Sequence, residues 1–394
     1  MKDWIEHIAD TVHKYYAGRQ IVLWGKYQAS DEIKDKLKQK YGMDVAFYVD
    51  GDSKKIDNRT VFVPDCLDGK SSVYYVVIPL AFYETIKIKM GNAGFREEQD
   101  YYYFSDCVVC QRDDYYEDAH GNKIIGKFQG LKFAFSGFHS CIKIGNNVRF
   151  QNTSIYVHND SKVIIENESC LQNSEILIGN SATVEFDAEA NLNECDVTIG
   201  DYSAVLLEDN VRIYGKMFHK TRWIMEENVR LHIGSRSYLF NGYLGMLSNS
   251  SLQIGKEFSV GENYHIALDN YTEILIGDDC MFSNDVFLRS NDGHSIFDIA
   301  TGKNINSTQE IGKKRKIEIG NHVWVGMRAA ILYHTKIGDG SIVGALSLVK
   351  NVFPNNCILA GTPAKMIKKD ISWSREYGAE DIAECGSQYV NLTK

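Results

Sequence analysis

The sequence predicts a mainly β protein, a parallel β-helix preceded by a small Rossmann-like α/β domain. Three observations carry that expectation. A short β-type phrase ending in Gly, once in Glu, returns nine times between residues 142 and 338, among them "IKIG", "ILIG", "VTIG" and "IEIG". Residues 1–105 instead alternate strand and helix signals. The 394-residue chain holds only four prolines, which suits long strand ladders.

Taken in order, "MKDWIEHIADTVHKYYAGRQ" (1–20) reads as an amphipathic helix and "QIVLWG" (20–25) as a short strand. "SDEIKDKLKQKYG" (30–42) opens on a Ser-Asp cap and closes on Gly, as a helix should. Strands follow in 44–52 and 71–80 and a helix in 82–94. The first strand runs into a turn that keeps one glycine, Gly25, of the three a dinucleotide site needs, and Tyr27 would crowd a phosphate there. Asp50 stands where such folds hold a ribose. The module therefore reads as Rossmann-like without a dinucleotide. It resembles small N-terminal modules of bacterial sugar-modifying enzymes, which serve for sugar-nucleotide binding or for packing. Residues 106–135 read as a linker, and Cys107 and Cys110 within it form a lone CxxC, weak as a zinc or redox signal.

The nine phrases end at Gly145, Glu166, Gly179, Gly200, Gly234, Gly255, Gly277, Gly320 and Gly338, with gaps of 21, 13, 21, 34, 21, 22, 43 and 18 residues. Most gaps are near one coil, the larger ones near two, which is the signature of a solenoid over 136–370. Turns such as "GNN", "GNS", "GDD" and "GDG" supply the positive-φ residues that corners need. A β-sandwich would not explain the recurrence of one phrase. The coils before Gly277 drift from clean hexapeptides and are expected to be irregular or to carry insertions. The 43-residue gap predicts a protruding loop over 290–316, with "SNDGHSIFD" at its start. Residues 371–394 read as a C-terminal helix and tail.

A formal net charge of −9 argues against a nucleic-acid binder. There is neither a signal-peptide pattern nor an apolar run long enough to span a membrane. Nine cysteines without paired spacing suit a reduced, cytoplasmic protein. His265, His322 and His334 lie among the coils, and metal ligation by them is not expected.

The stretch 317–373 carries "IGNHVWVG", "ILYHTKIGDGSIVGALSLV" and "ILAGTPAKMIKK" in that order. It resembles the C-terminal signature of the hexapeptide-repeat acyltransferases, whose fold is a left-handed β-helix. With "IGDDCMFSNDVFLRSNDGHSIFD" before it, the chain resembles bacterial surface-polysaccharide O-acetyltransferases over roughly 250–373. The resemblance implies acetyl-coenzyme A as co-substrate, no metal, a carbohydrate acceptor and a homotrimer. It also implies that His294 is the general base, because a sugar hydroxyl needs its proton removed as it attacks a thioester and imidazole titrates near neutrality.

Asp292 and Asp298 flank His294, and either could orient its ring. Asn284 and Arg289 are candidates for holding the sugar. Trp324 matches the family's tryptophan, expected to wall the acceptor or pantetheine channel. Gly326 and Ala345 would allow coenzyme A close to the coil, Pro363 and Ala364 would pack near adenine, and Lys365, Lys368 and Lys369 could neutralise phosphates. "KKRK" (313–316) reads first as a solvated charge run and second as an anion contact. Two other functions fit the same residues. One is N-acetylation of a nucleotide-linked amino sugar, and the other is a catalytically silent glycan-binding scaffold.

Overall fold

The computed structural model describes residues 4–26, 28–50, 55–57, 59–79, 83–96, 99–103, 115–117, 121–128, 130–135, 138–216, 219–306, 315–381 and 387–390. The N-terminal elements are α1 (Trp4–Tyr15), β1 (Gln20–Trp24), α2 (Gln28–Tyr41), β2 (Val45–Val49), β3 (Val61–Phe62), β4 (Tyr74–Ile78), α3 (Tyr83–Asn92) and β5 (Tyr101–Tyr103). The five strands form a parallel sheet in the order β3-β2-β1-β4-β5. Residues of β1 alternate between two cores: Ile21 and Leu23 pack with Ile8, Val12 and Leu37, while Val22 and Trp24 pack with Met90 and Phe95. The first of these cores continues onto Ala134 and Tyr156 of the solenoid, so the module is seated on the first coils. The second helix starts at Gln28, which puts Ser30 inside its first turn and fully buried rather than at a cap. Asp50 is buried and accepts the Lys26 amide at 2.9 Å, so its carboxylate closes the turn after β1. Tyr27, Cys107 and Cys110 lie outside the described residues.

Beyond the module the chain winds as the expected parallel β-helix. Its three faces are sheets of 12, 11 and 10 strands among the described residues. In each coil the chain passes from face one (for example Lys162–Ile165) to face two (Cys170–Gln172), to face three (Glu175–Ile178), and back to face one (Thr183–Phe186). Strands on each face alternate inward apolar and outward residues, and the inward ones merge into one core along the axis.

Three expectations need correction. The stretch 106–135 is not simply a linker. Tyr115–Glu117 and Lys123–Ile125 form a hairpin on face one, and Leu131–Phe135 is the first strand of face three. Ile124, Phe128, Leu131 and Phe133 are buried there and cover the end of the core. Most of the early coils are also regular. Lys162 pairs with Thr183 and Thr183 with Ala204, a repeat of 21 residues, against 18 between Ile317 and Thr335. They drift from hexapeptides because each coil is longer, while the coil between Ala204 and Arg230 does carry an insertion, bridged at Lys216 and His219. Finally, 371–394 contains no α-helix among its described residues, only a short 3-10 turn at Ser387–Tyr389. The tail is held instead by side-chain contacts of Trp373 and Arg375, described below.

The repeated glycine owes its place to close approach. A Cβ on Gly145 would lie 2.7 Å from the Asn167 amide of the next coil, and one on Gly277 would lie 2.7 Å from the Asn321 amide. Positive φ belongs to the residue two positions later, as in Asn147 (57°), Ser181 (52°) and Asp279 (55°). Between them stands a polar side chain that accepts an amide from the coil below: Asn167 Oδ1 takes the Asn146 N–H at 2.7 Å and Asn321 Oδ1 takes that of Asp278 at 2.8 Å.

Inside the solenoid, the Trp223 indole donates to the Tyr264 hydroxyl at 2.9 Å with both side chains fully buried. Tyr264→Phe leaves that N–H without an acceptor. It is expected to cost about 1–3 kcal/mol, read as a lower denaturation midpoint with an unchanged far-UV spectrum.

Candidate active site

Along the three edges of the prism the expected site residues separate into groups. The edge between faces three and one carries the loop. It leaves the coil after the strand Phe287–Arg289 and returns at Lys316–Ile319, which pairs directly with Glu273–Ile276. The ends of the loop are tied down. Ser290 is buried, with its hydroxyl 2.6 Å from that of Thr272 and accepting the Asp269 amide at 2.9 Å.

Asp292 is held from three sides. Its Oδ2 accepts from the Tyr333 hydroxyl at 2.9 Å and from Asn306 Nδ2 at 3.0 Å, and the Arg315 guanidinium lies 3.5 Å away. Burial pushes the carboxyl up, but Asn306, Tyr333 and Arg315 together outweigh it and hold Asp292 below its ordinary value. Asn306, itself buried, also donates to the His294 carbonyl at 2.7 Å and accepts the Ile296 amide at 2.7 Å. Beyond it the chain forms a small hairpin in which Asp298 accepts the Thr301 amide and hydroxyl at 2.7 and 2.8 Å.

The His294 ring is exposed, and among the described residues no hydrogen bond or ion pair joins it to Asp292 or Asp298. Both acids are spent on the loop's own structure. Their part is to fix the backbone on either side of His294.

A depressed carboxylate contributes stability above its unfolded pKa, and that contribution is lost as pH falls through the folded value. The loop is therefore expected to stay closed at neutral pH and to open in acid below the ordinary Asp value of about 3.9. Pepsin should nick 296–305 there and not above it.

Arg315, Tyr333, Asn306 and Lys350 did not stand out in the sequence. Of "KKRK", Lys313 and Lys314 lie outside the described residues, and Arg315 is no solvated charge. Its side chain is 9% exposed, bonds Asn291 Oδ1, and sits 4.4 Å over the Tyr333 ring. Lys316 pairs with Glu273 at 2.6 Å. Lys350 also lies over the Tyr333 ring, 4.1 Å from its centroid. His334 shares this edge, and burial, then Arg315 and Lys350, push its pKa below 6.5.

A second group lies on face two and on the edge between faces two and three. Trp324 points outward, 38% exposed, from the strand Trp324–Val325, so it is not a core residue. Gly326 and Ala345 follow on the adjoining edge, where a Cβ on Gly326 would lie 2.6 Å from the Ala345 amide. Pro363 and Ala364 lie at the turn between the strands Ile358–Gly361 and Ala364–Lys368, which pair antiparallel. Lys365, Lys368 and Lys369 are exposed, with no carboxylate partner among the described residues. Asn284 belongs to this edge and not to the sugar side near Arg289. Its Oδ1 accepts the Glu262 amide at 2.9 Å, as a corner residue does elsewhere in the coil.

The third edge holds the tail. His322 is buried, bonded through Nδ1 to Asp279 at 2.6 Å and through Nε2 to the Trp373 carbonyl at 2.9 Å, and stacked on Trp373 with centroids 4.1 Å apart. Arg375 reaches back to Asp279, to the Ser259 hydroxyl at 3.0 Å and to the Cys280 carbonyl at 2.9 Å. Trp373 also comes within 6.0 Å of Trp324, centroid to centroid. His265, His322 and His334 thus stand apart, on a face and on two different edges. Among the described residues no group of three metal-ligating side chains gathers. No described helix is long and apolar enough to cross a membrane.

Comparison with known proteins matches residues 316–351 to the bacterial transferase hexapeptide (six repeats) family. A polysialic acid O-acetyltransferase of Escherichia coli O1:K1 is 33% identical over 169 residues, covering 42% of this chain and 52% of that protein. A chloramphenicol acetyltransferase of Morganella morganii is 32% identical over 162 residues, covering 37% of this chain and 70% of that one. The chain thus spans about half the length of the first of these relatives. Among solved structures, the polySia-specific acetyltransferase NeuO is 25% identical with a TM-score of 0.39, covering 67% of this chain and 99% of that chain.

Proposed function

The chain belongs to the bacterial hexapeptide-repeat transferases, and on that premise we propose that it transfers an acetyl group from acetyl-coenzyme A to a hydroxyl of a bacterial surface polysaccharide. The observation that carries the proposal is the long loop that leaves the solenoid at Ser290: it presents an exposed His294 on a backbone clamped by Asn306.

In this reading the His294 imidazole takes the proton of the acceptor hydroxyl as its oxygen attacks the thioester carbonyl. The C–S bond then breaks, the acetyl ester forms, and the imidazolium returns its proton to the coenzyme A thiolate. Both substrates are bound together and no acyl-enzyme forms. Trp324, Gly326, Ala345, Pro363, Ala364, Lys365 and Lys368 hold coenzyme A along the edge between faces two and three, where the lysines have no acidic partner among the described residues. That edge and the His294 edge are different edges of one prism. This supports a site completed between neighbouring copies, as in a homotrimer. The polysialic acid O-acetyltransferase of Escherichia coli O1:K1 named above supports a polymeric acceptor.

The test is acetyl-coenzyme A consumption by the full chain against a panel of surface polysaccharides, with the product read by NMR for new O-acetyl esters. Acetylation of amino-sugar nucleotides alone would replace this reading with N-acetyl transfer. Binding of glycan without thioester consumption would reduce the protein to a scaffold.

A further inference from the structure

Face three carries a trough of about 310 Å³ that runs to the foot of the loop. Its floor is low because the outward row reads Gly245, Ala267, Arg289 in successive coils, two small residues followed by a cation. One wall is aromatic: Tyr243 and His265 lie with centroids 4.8 Å apart and rings tilted by 31°, and Phe287, outside the lining, backs His265 in a stack at 5.0 Å. Burial first and Arg289 second push the His265 pKa below 6.5, so at neutral pH the ring is an uncharged plate between two others. Such a wall offers flat apolar area to one face of a sugar ring.

The charge lies at the loop end. Arg289 Nε donates to the Asn291 carbonyl at 3.0 Å, which fixes the guanidinium plane. Its terminal nitrogens have no hydrogen bond or ion pair among the described residues. The carboxylate on the trough lining, Asp269, is engaged elsewhere, accepting from Asn291 Nδ2 and the Asn270 amide. A Cβ on Gly293 would lie 2.2 Å from Arg289 Nη2, so the guanidinium rests against the residue before His294. Gly293 also has φ of +84°, which suits glycine there on both counts.

We infer that this trough is the acceptor subsite and takes a carboxylate-bearing pyranose, its ring against the Tyr243–His265 wall and its carboxylate on the free fork of Arg289. A planar guanidinium with two uncommitted amino groups matches a carboxylate bidentately, whereas a neutral sugar would leave a half-buried cation unpaired. The inference rests on the proposed transfer reaction for its role, but not for its test.

The test is affinity electrophoresis of the full chain through gels containing sialic-acid or hexuronate polymers, each alongside its carboxyl-reduced form. The wild type is expected to be retarded by at least one acidic polymer and about tenfold less by its reduced counterpart. R289Q should lose that difference, and R289K should keep part of it. Retardation by none of the polymers, or equal retardation by acidic and reduced forms, overturns the inference. So does an R289Q variant that still discriminates. Carboxylate- and Arg289-dependent binding without acetyl transfer would instead overturn the proposed reaction and leave the subsite standing.

Discussion

His294→Ala is expected to lower acetyl transfer by about 10²–10⁴-fold while the KM for acetyl-coenzyme A stays within about twofold. The ring is exposed, and its backbone carbonyl, not its side chain, accepts from Asn306. Removing the imidazole therefore takes away the proposed base without touching the clamp, and stability should change by no more than about 0.5 kcal/mol. The companion variant is His334→Ala. His334 stands on the same edge, its pKa lowered by burial, Arg315 and Lys350, and so serves as the imidazole control on that edge. It is expected to retain most activity. If His334→Ala is inactive and His294→Ala is not, the base is His334, and the loop serves only to shape the acceptor trough.

Much of this architecture was legible in the sequence because a solenoid repeats its instructions. The I-x-I-G phrase marked strands of face one and, at Gly179 and Gly200, strands of face three, and the 43-residue gap marked where the loop leaves the coil. What the phrase could not show was why the glycine is there. Positive φ seemed sufficient, but the residue that adopts it is two positions on, and the glycine answers to the next coil's backbone instead.

The clamp around Asp292 was illegible for a different reason. Arg315, Tyr333 and Asn306 lie 23, 41 and 14 residues from it and meet because the loop folds back on itself and the next coil stacks beneath it. In sequence, Arg315 belongs to a run of lysines, and nothing local distinguishes a buried guanidinium from a solvated one. The tail misled for a related reason. Its residues suit a helix, yet Trp373 stacks on His322, bonds its carbonyl at 2.8 Å, and holds the chain extended. Tertiary contacts outweigh helix propensity when they satisfy a buried imidazole and an indole at once.

Asn306→Ala should produce the largest effect of any change that leaves the reacting groups in place. The single carboxamide donates to Asp292 and to the His294 carbonyl and accepts the Ile296 amide, so the variant loses three hydrogen bonds that span the loop. At about 1 kcal/mol each, the closed loop loses about 3 kcal/mol relative to open forms, or about 10²-fold in the fraction held in the reactive geometry. The chemistry of the imidazole is unchanged, so the loss should fall on kcat, by about 10- to 100-fold, with both KM values little affected. Trypsin supplies a readout that a catalytic defect would not move. Lys303 lies exposed in the hairpin, between its paired residues Phe297 and Asn304. Cleavage after Lys303 should accelerate in Asn306→Ala and remain at the wild-type rate in His294→Ala. A fall in kcat without faster cleavage would mean that Asn306 acts on the bound acceptor and not through the loop.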